Sequence, residues 1–193
     1  VNTVVRVDQR YVGHNTDARG FVRSLEEGGL DLDRLYVCVL GAGGAARAGI
    51  VGLANAGASS IAVLARRVDQ AEMLVESLRG HVSARLAAHP IEDASAAFSR
   101  CDLLVQSTSA TLESNPDAGA FADSLPMDAL PATAAVVDMV YQPLRTTVLA
   151  RAEELGLRTV DGLGMLLHQG AIAFEMWTGE PPPLDVMRSA LES

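Results

Sequence analysis

A chain of 193 residues that is 49% apolar, with a mean hydropathy of +0.20, has enough apolar side chains for a sizeable core and too many for a disordered segment. Its net charge of −9 and isoelectric point near 4.8 count against nucleic acid and against an anionic membrane surface as main partners. All 15 basic residues are arginine and none is lysine; the two cysteines, Cys38 and Cys101, have no metal-site spacing and suit a reducing cytoplasm.

Val1-Asn-Thr-Val-Val5 opens in β-branched, strand-like sequence without an initiator Met, as expected of a piece that follows an amino-terminal domain. No signal peptide and no bilayer-length apolar run is read. A turn is expected over 11–20. The helix after it runs from about Asp17 to Glu27, with Phe21, Val22 and Leu25 on one face and Gly28-Gly29 ending it. Asn15 and Thr16 are candidate caps. On residue chemistry alone Asp17 is a third polar group complementing the helix dipole.

Tyr36-Val-Cys-Val-Leu40 reads as a buried parallel strand, and it runs into Gly41-Ala42-Gly43-Gly44-Ala45-Ala46 at the head of a helix that Gly57 stops. Strand, glycine turn and helix match the dinucleotide-binding fingerprint. Gly41 permits a tight turn and Gly43 lets backbone approach a pyrophosphate. A small Ala46 packs the helix closely on the strand, and unpaired amides at the helix start favour the anion. Ser60-Ile-Ala-Val-Leu64 is the next strand. At its carboxyl end Ala65-Arg66-Arg67 presents two arginines and no acid, which favours a 2′-phosphate and hence NADP over NAD. The competing reading makes Arg66 and Arg67 a solvated helix start paired with Asp69.

A helix is expected over 69–78, a third strand over 82–87, a short helix over 92–98 and a fourth strand over 102–105. The polar run Gln106-Ser-Thr108-Ser-Ala-Thr111 then borders the switch-point crevice, or is an ordinary Ser/Thr loop. Residues 112–131, with three prolines, read as a long irregular connection. A fifth strand spans 134–141, with Asp138 in it needing partners; a helix over 146–155 and a sixth strand over 158–161 follow. The last long helix covers 164–177. Gln169 lies there on an apolar stripe with Met165, Ile172 and Met176, as a loop-bonding residue or a substrate ligand, and His168 reads as packed or solvated. A terminal helix spans 184–191. Alternating strands and helices imply an α/β fold: a doubly wound, mostly parallel Rossmann-type sheet with helices on both faces. One dinucleotide-binding domain is expected over 1–193, with 1–30 leading in and 162–193 packing back.

Taken together, Val1-Asn-Thr-Val4, Gly13-His-Asn-Thr-Asp17, Gly41-Ala-Gly-Gly-Ala45, Val137-Asp-Met-Val-Tyr-Gln-Pro143, Asp161-Gly-Leu-Gly-Met-Leu166, Gln169-Gly-Ala171 and Phe174-Glu-Met-Trp-Thr-Gly179 resemble the carboxyl-terminal, NADP-binding half of shikimate dehydrogenases. The resemblance implies that Asp17 bonds a substrate hydroxyl beside a catalytic lysine, and this moves the helix-dipole reading of Asp17 to second place. It further implies that Asn2, Tyr141 and Gln169 hold shikimate or 3-dehydroshikimate. Met139 and Gly162 would lie against the nicotinamide. Gly41 to Ala45, Arg66, Arg67, Thr108 and Met165 complete the expected cofactor set, with no metal and with a homodimer as the assembly considered. The chain departs from the family at Ala65-Arg66-Arg67, where Asn-Arg-Thr is usual, and at Gln106 to Leu112, which lacks the usual glycine and methionine. It also lacks any lysine. Three readings stand: shikimate dehydrogenase represented by its cofactor domain, a quinate/shikimate-type paralogue, and a non-catalytic NADP-binding module.

Overall fold

Apolar residues at alternate strand positions decide the layering, because successive side chains of a strand point to opposite faces. In the computed structural model, which describes residues 1–192, six strands form one parallel sheet: β3 (Tyr36–Leu40), β4 (Ser60–Ala65), β5 (Arg85–Pro90), β6 (Leu103–Gln106), β7 (Ala135–Asp138) and β8 (Arg158–Val160). Their spatial order is β5-β4-β3-β6-β7-β8, so the chain steps outward one way, returns to the middle and steps outward the other way. The doubly wound expectation holds. β3 and β6 are the neighbours at which the direction reverses, and this is where such sheets open a crevice.

Val37, Val39, Ile61, Val63, Leu103, Val105 and Val137 point into one core with α1 (Asp17–Glu27), α2 (Gly44–Asn55) and α3 (Val68–Leu78). Cys38, Leu40, Ala62, Leu64, Leu104 and Val136 point into the other, with α4 (Ala94–Phe98), α5 (Ala118–Ser124) and α6 (Thr147–Glu154). Both cysteines are free and buried. The neighbouring Cys101 thiol, and then burial, push the Cys38 thiol far above its ordinary value, so it packs as a small apolar group.

The first core is completed by a helix pair. Phe21 and Leu25 of α1 are fully buried, each worth about 1.5–3 kcal/mol of apolar burial. α7 (Leu163–Thr178) lies along the same helix. Gly20 permits this approach, since a Cβ there would stand 2.6 Å from the Gln169 backbone nitrogen. α8 (Leu184–Leu191) packs on α7 and is tied down by Arg188, whose Nη2 donates to Glu27 Oε1 at 2.6 Å. His168 Nε2, buried on α7, lies 2.9 Å from the other oxygen of the same carboxylate, as a packed histidine should.

Four expectations change. Residues 3–14 form a hairpin, β1 (Thr3–Val7) antiparallel to β2 (Arg10–His14), with Asp8 at a φ of 55° in its turn. The turn expected over 11–20 is thus strand as far as His14. β5 begins three residues later than expected, because its pairing with β4 runs from Ser60↔Arg85 to Ala65↔Pro90. The fifth strand stops at Asp138, whose Oδ1 accepts the Val140 N–H at 2.9 Å and turns the chain away. The stretch 112–131 is not irregular throughout. It contains α5 and a 3₁₀ turn, Met127–Ala129, that bury Ala122, Leu125, Met127 and Leu130. Ser193, the last residue of the expected domain range, lies outside the described residues.

Candidate active site

Two groups of the expected site residues come together at different edges of the helical layer. The first lies at the carboxyl ends of β3, β6 and β7. Gly41 leaves β3 at a φ of +109°, a conformation other residues rarely adopt, and no Cβ would fit there between Thr108 and Ser107. Gly43 and Gly44 have nothing within 4 Å of where a Cβ would stand, so the approach to the start of α2 is open. No side chain among the described residues caps that start, which leaves its first amides available to an anion. Ala46 is fully buried, as the close helix–strand contact requires. Ala42 packs on the first core, and Ala45 lines a crevice of about 750 Å³ together with Thr108, Met139, Tyr141, Ser107 and Glu113.

Arg66 and Arg67 stand exposed just past β4. Neither guanidinium has a hydrogen-bond or ion-pair partner among the described residues, so the pairing with Asp69 does not form. Gly162 caps α7 and sits so near the Met139 and Val140 carbonyls that a Cβ would stand within 2.7 Å of both. Gly162 and Met165 are outside the crevice lining, and Met165 packs on the first core.

The second group gathers at the start of α1. Thr16 occupies the cap position, but Asn15 Oδ1 accepts the Asp17 N–H at 2.9 Å. Asn2 Nδ2 donates to Asp17 Oδ1 at 2.7 Å and to Thr16 Oγ1 at 3.0 Å, while Asn2 Oδ1 accepts the Thr16 N–H at 3.0 Å. Thr16 Oγ1 lies 3.4 Å from Gln169 Oε1, and Gln169 Nε2 donates to the Leu166 carbonyl at 3.1 Å. Asn2, Asp17 and Gln169 thus meet around one buried threonine. Tyr141 stands with the crevice group instead. Helix α1 links the two, since Phe21 approaches Gly49, and Gly49 approaches the Met139 methyl.

Beneath the crevice, Asp138 is fully buried. Burial raises its carboxyl above the ordinary value, against the opposing pull of the Val140 N–H and of the nearby Thr146 and Thr111 hydroxyls. Its Oδ2 has no hydrogen-bond partner among the described residues. Sequence reading missed Thr16 as the hub of the second group and Glu113 as a crevice wall, while Ser107 belongs to the polar run expected at the crevice. The only signal for Thr16 and Glu113 was position just after a motif or a strand end.

Comparison with known proteins identifies the family. Residues 24–116 match the family model described as shikimate / quinate 5-dehydrogenase, and residues 162–192 match the shikimate 5′-dehydrogenase C-terminal domain. A relative named shikimate dehydrogenase (NADP(+)) from Symbiobacterium thermophilum is 42% identical over 98% of this chain and 65% of its own length. One of the same name from Alkaliphilus oremlandii is 36% identical over 99% of this chain and 67% of its own length. The chain belongs to the shikimate dehydrogenase family. It spans about two thirds of the length of the curated members it matches. Among solved structures of the family, shikimate 5-dehydrogenase from Listeria monocytogenes, in complex with shikimate and NAD, superposes with a TM-score of 0.87 at 32% identity, covering 97% of this chain and 66% of that one. The Thermus thermophilus enzyme, in complex with NADP(H) and shikimate, gives 0.80 at 39% identity over 98% and 66%.

Proposed function

We propose that this chain is the cofactor-binding portion of an NADP-dependent shikimate dehydrogenase, which interconverts 3-dehydroshikimate and shikimate. One observation carries the reading: an uncapped helix start behind an open glycine turn faces a crevice at the switch point, with two unpartnered arginines at the end of the adjacent strand. The amides that open α2 would hold the pyrophosphate, and Arg66 and Arg67 the 2′-phosphate. Thr108, Met139 and Tyr141 would shape the space for the nicotinamide end and keep water from it. When bound, the cofactor supplies or accepts the hydride.

Asp17 would orient the substrate hydroxyl, with Asn2 donating to its carboxylate and Gln169 close behind. The reacting oxygen also has to exchange a proton, a task worth a factor of about 10²–10⁴. The resemblance gives it to a lysine beside Asp17. The chain contains none, so that amine would come from outside these 193 residues. The setting that goes with this reading is the cytoplasm, supported by the two free, buried thiols. Among the described residues no helix is long and apolar enough to cross a membrane.

Titration calorimetry with NADP and NAD, followed by an absorbance assay with shikimate and NADP, tests the proposal. Binding of NADP without turnover is expected. Equal affinities for the two cofactors would overturn the arginine assignment, and turnover abolished by Asp17→Asn would show that the amine is dispensable. A quinate-type substrate is the second reading, favoured by the departure at Gln106 to Leu112 on the crevice wall. Tighter binding of quinate than of shikimate to the NADP-saturated chain would select it.

A further inference from the structure

Gln106 and Asp138 close adjacent strands of the sheet and are register partners, and both are fully buried. Two polar side chains at the same level of a core otherwise filled by valine and leucine have to be bonded to be tolerated. The bonds of each go to a different place. Gln106 spends its whole capacity on the loop that follows its own strand. Nε2 donates to the Thr108 carbonyl at 2.8 Å and to Thr111 Oγ1 at 2.9 Å. Oε1 accepts the Thr108 N–H at 3.0 Å and the Thr108 hydroxyl at 2.9 Å. Asp138 Oδ1 accepts the Val140 N–H on the loop after β7.

These two loops both line the crevice, one carrying Thr108 and the other Met139 and Tyr141. Main-chain bonds join them at both ends. Met139 N donates to the Gln106 carbonyl at 2.9 Å, and Glu113 N donates to the Gln142 carbonyl at 3.4 Å. Thr111, which receives a bond from Gln106, also lies near the Asp138 carboxyl and helps to pull its value down.

We propose that Gln106 and Asp138 are a positioning pair that fixes the crevice walls relative to each other, and that Gln106 sets Thr108 against the nicotinamide end of the cofactor. The assignment rests on the NADP reading given above. A leucine would fill the volume of Gln106 and leave the Thr108 amide and carbonyl without these partners, its hydroxyl held only by the Ala110 N–H. The loop would then lose its shape while the sheet beneath kept its packing. An asparagine, one methylene shorter, cannot reach the same atoms from the same backbone and should fall between the two.

The adenosine half of the nucleotide and the nicotinamide half report separately. Calorimetry on the full chain measures the affinity of NADP and of 2′,5′-ADP, which lacks the nicotinamide end, for the unmodified protein, Gln106→Leu and Gln106→Asn. The expected result for Gln106→Leu is 2′,5′-ADP affinity within about twofold of the unmodified chain and NADP affinity reduced by about tenfold or more, as for one buried hydrogen-bond set lost. Should Gln106→Leu fail to fold, Gln106→Asn carries the test with a smaller change in the same ratio. Equal losses for both ligands, or an unchanged ratio, would assign Gln106 a structural role and overturn the proposal. If the unmodified chain binds 2′,5′-ADP as tightly as NADP, the nicotinamide end makes no contact here, and the proposal fails while the cofactor reading stands. If it binds neither ligand, the cofactor reading fails and takes the proposal with it.

Discussion

A Cβ placed on Gly41 would stand 2.8 Å from Thr108 Cγ2, so the turn leaving β3 and the loop leaving β6 pack too closely for a side chain between them. Gly41→Ala therefore meets two penalties, the clash and a φ of +109°. Strain of this kind costs of order 1–3 kcal/mol. Thermal unfolding should show a destabilisation of that size, and NADP affinity should fall because Thr108 has to yield. An alanine variant with unchanged stability would mean that the turn relaxes freely.

Arg66 and Arg67 have no partner among the described residues, so removing one breaks nothing inside the protein. A hydrogen bond to a charged group is worth about 1.5–3 kcal/mol, or roughly 10- to 100-fold in affinity. Arg66→Ala should weaken NADP by about that factor, leave NAD almost unchanged and leave the melting temperature where it was. Parallel titrations with the two cofactors check this; equal losses would move the 2′-phosphate elsewhere.

Asp138 gives stability a pH dependence whose sign is opposite to that of a salt-bridged carboxylate. Burial raises its native value, so the folded protein keeps a proton that the unfolded chain has already lost. Stability from this group therefore falls as pH rises from the unfolded value through the raised native one, and levels off above it. Asp138→Asn keeps an acceptor for the Val140 N–H and carries no charge. It should remove that fall and gain roughly 1 kcal/mol at neutral pH relative to acid. Unfolding curves between pH 4 and pH 8 decide the matter; an asparagine variant that loses stability most at neutral pH would show that the carboxylate is wanted.

Glu27 works in the other direction. The hydrogen bond with His168 leads in lowering its carboxyl, with Arg188 assisting and burial opposing. A depressed native value means that the stabilisation is present above the unfolded value and is lost as pH falls through the native one. Glu27 is half exposed, so Glu27→Gln should cost about 1 kcal/mol or less at pH 7 and nothing in acid. Hydrogen exchange should show α8 opening sooner in this variant, because Arg188 loses the anchor that holds its helix to α1.

The strands legible in the sequence were those with continuous apolar runs. Tyr36–Leu40 and Ser60–Ala65 are buried on both faces and carry their own signal. Arg85–Pro90 lies at the sheet edge and is half exposed, so β4 decides its register and its own residues do not. Residues 10–14 escaped notice because an exposed two-stranded ribbon needs no apolar face, and Gly13 and His14 read as turn. The glycine turn was legible because a tight turn from strand into helix selects glycine at a fixed offset from the strand, and Arg66 and Arg67 were legible as the first residues past β4. The meeting of Asn2 with Asp17 was not, since residues 14 and 15 positions apart come together only once the hairpin has formed. Periodicity identified Gln169 as anomalous and could not say that Thr16 would face it.

The hairpin of β1 and β2 shares no hydrogen bond with the main sheet, yet it is pinned at two points. Asn2 grips Thr16 and Asp17 on α1, and the Val4 carbonyl accepts the indole N–H of Trp177 on α7 at 3.0 Å. Mechanically it is a lever with two bearings. Tyr11, Val12 and Val4 are its exposed handle, and the carboxylate of Asp17 is at its short end. The direction of that carboxylate is therefore coupled to the position of the ribbon through the Asn2 amide.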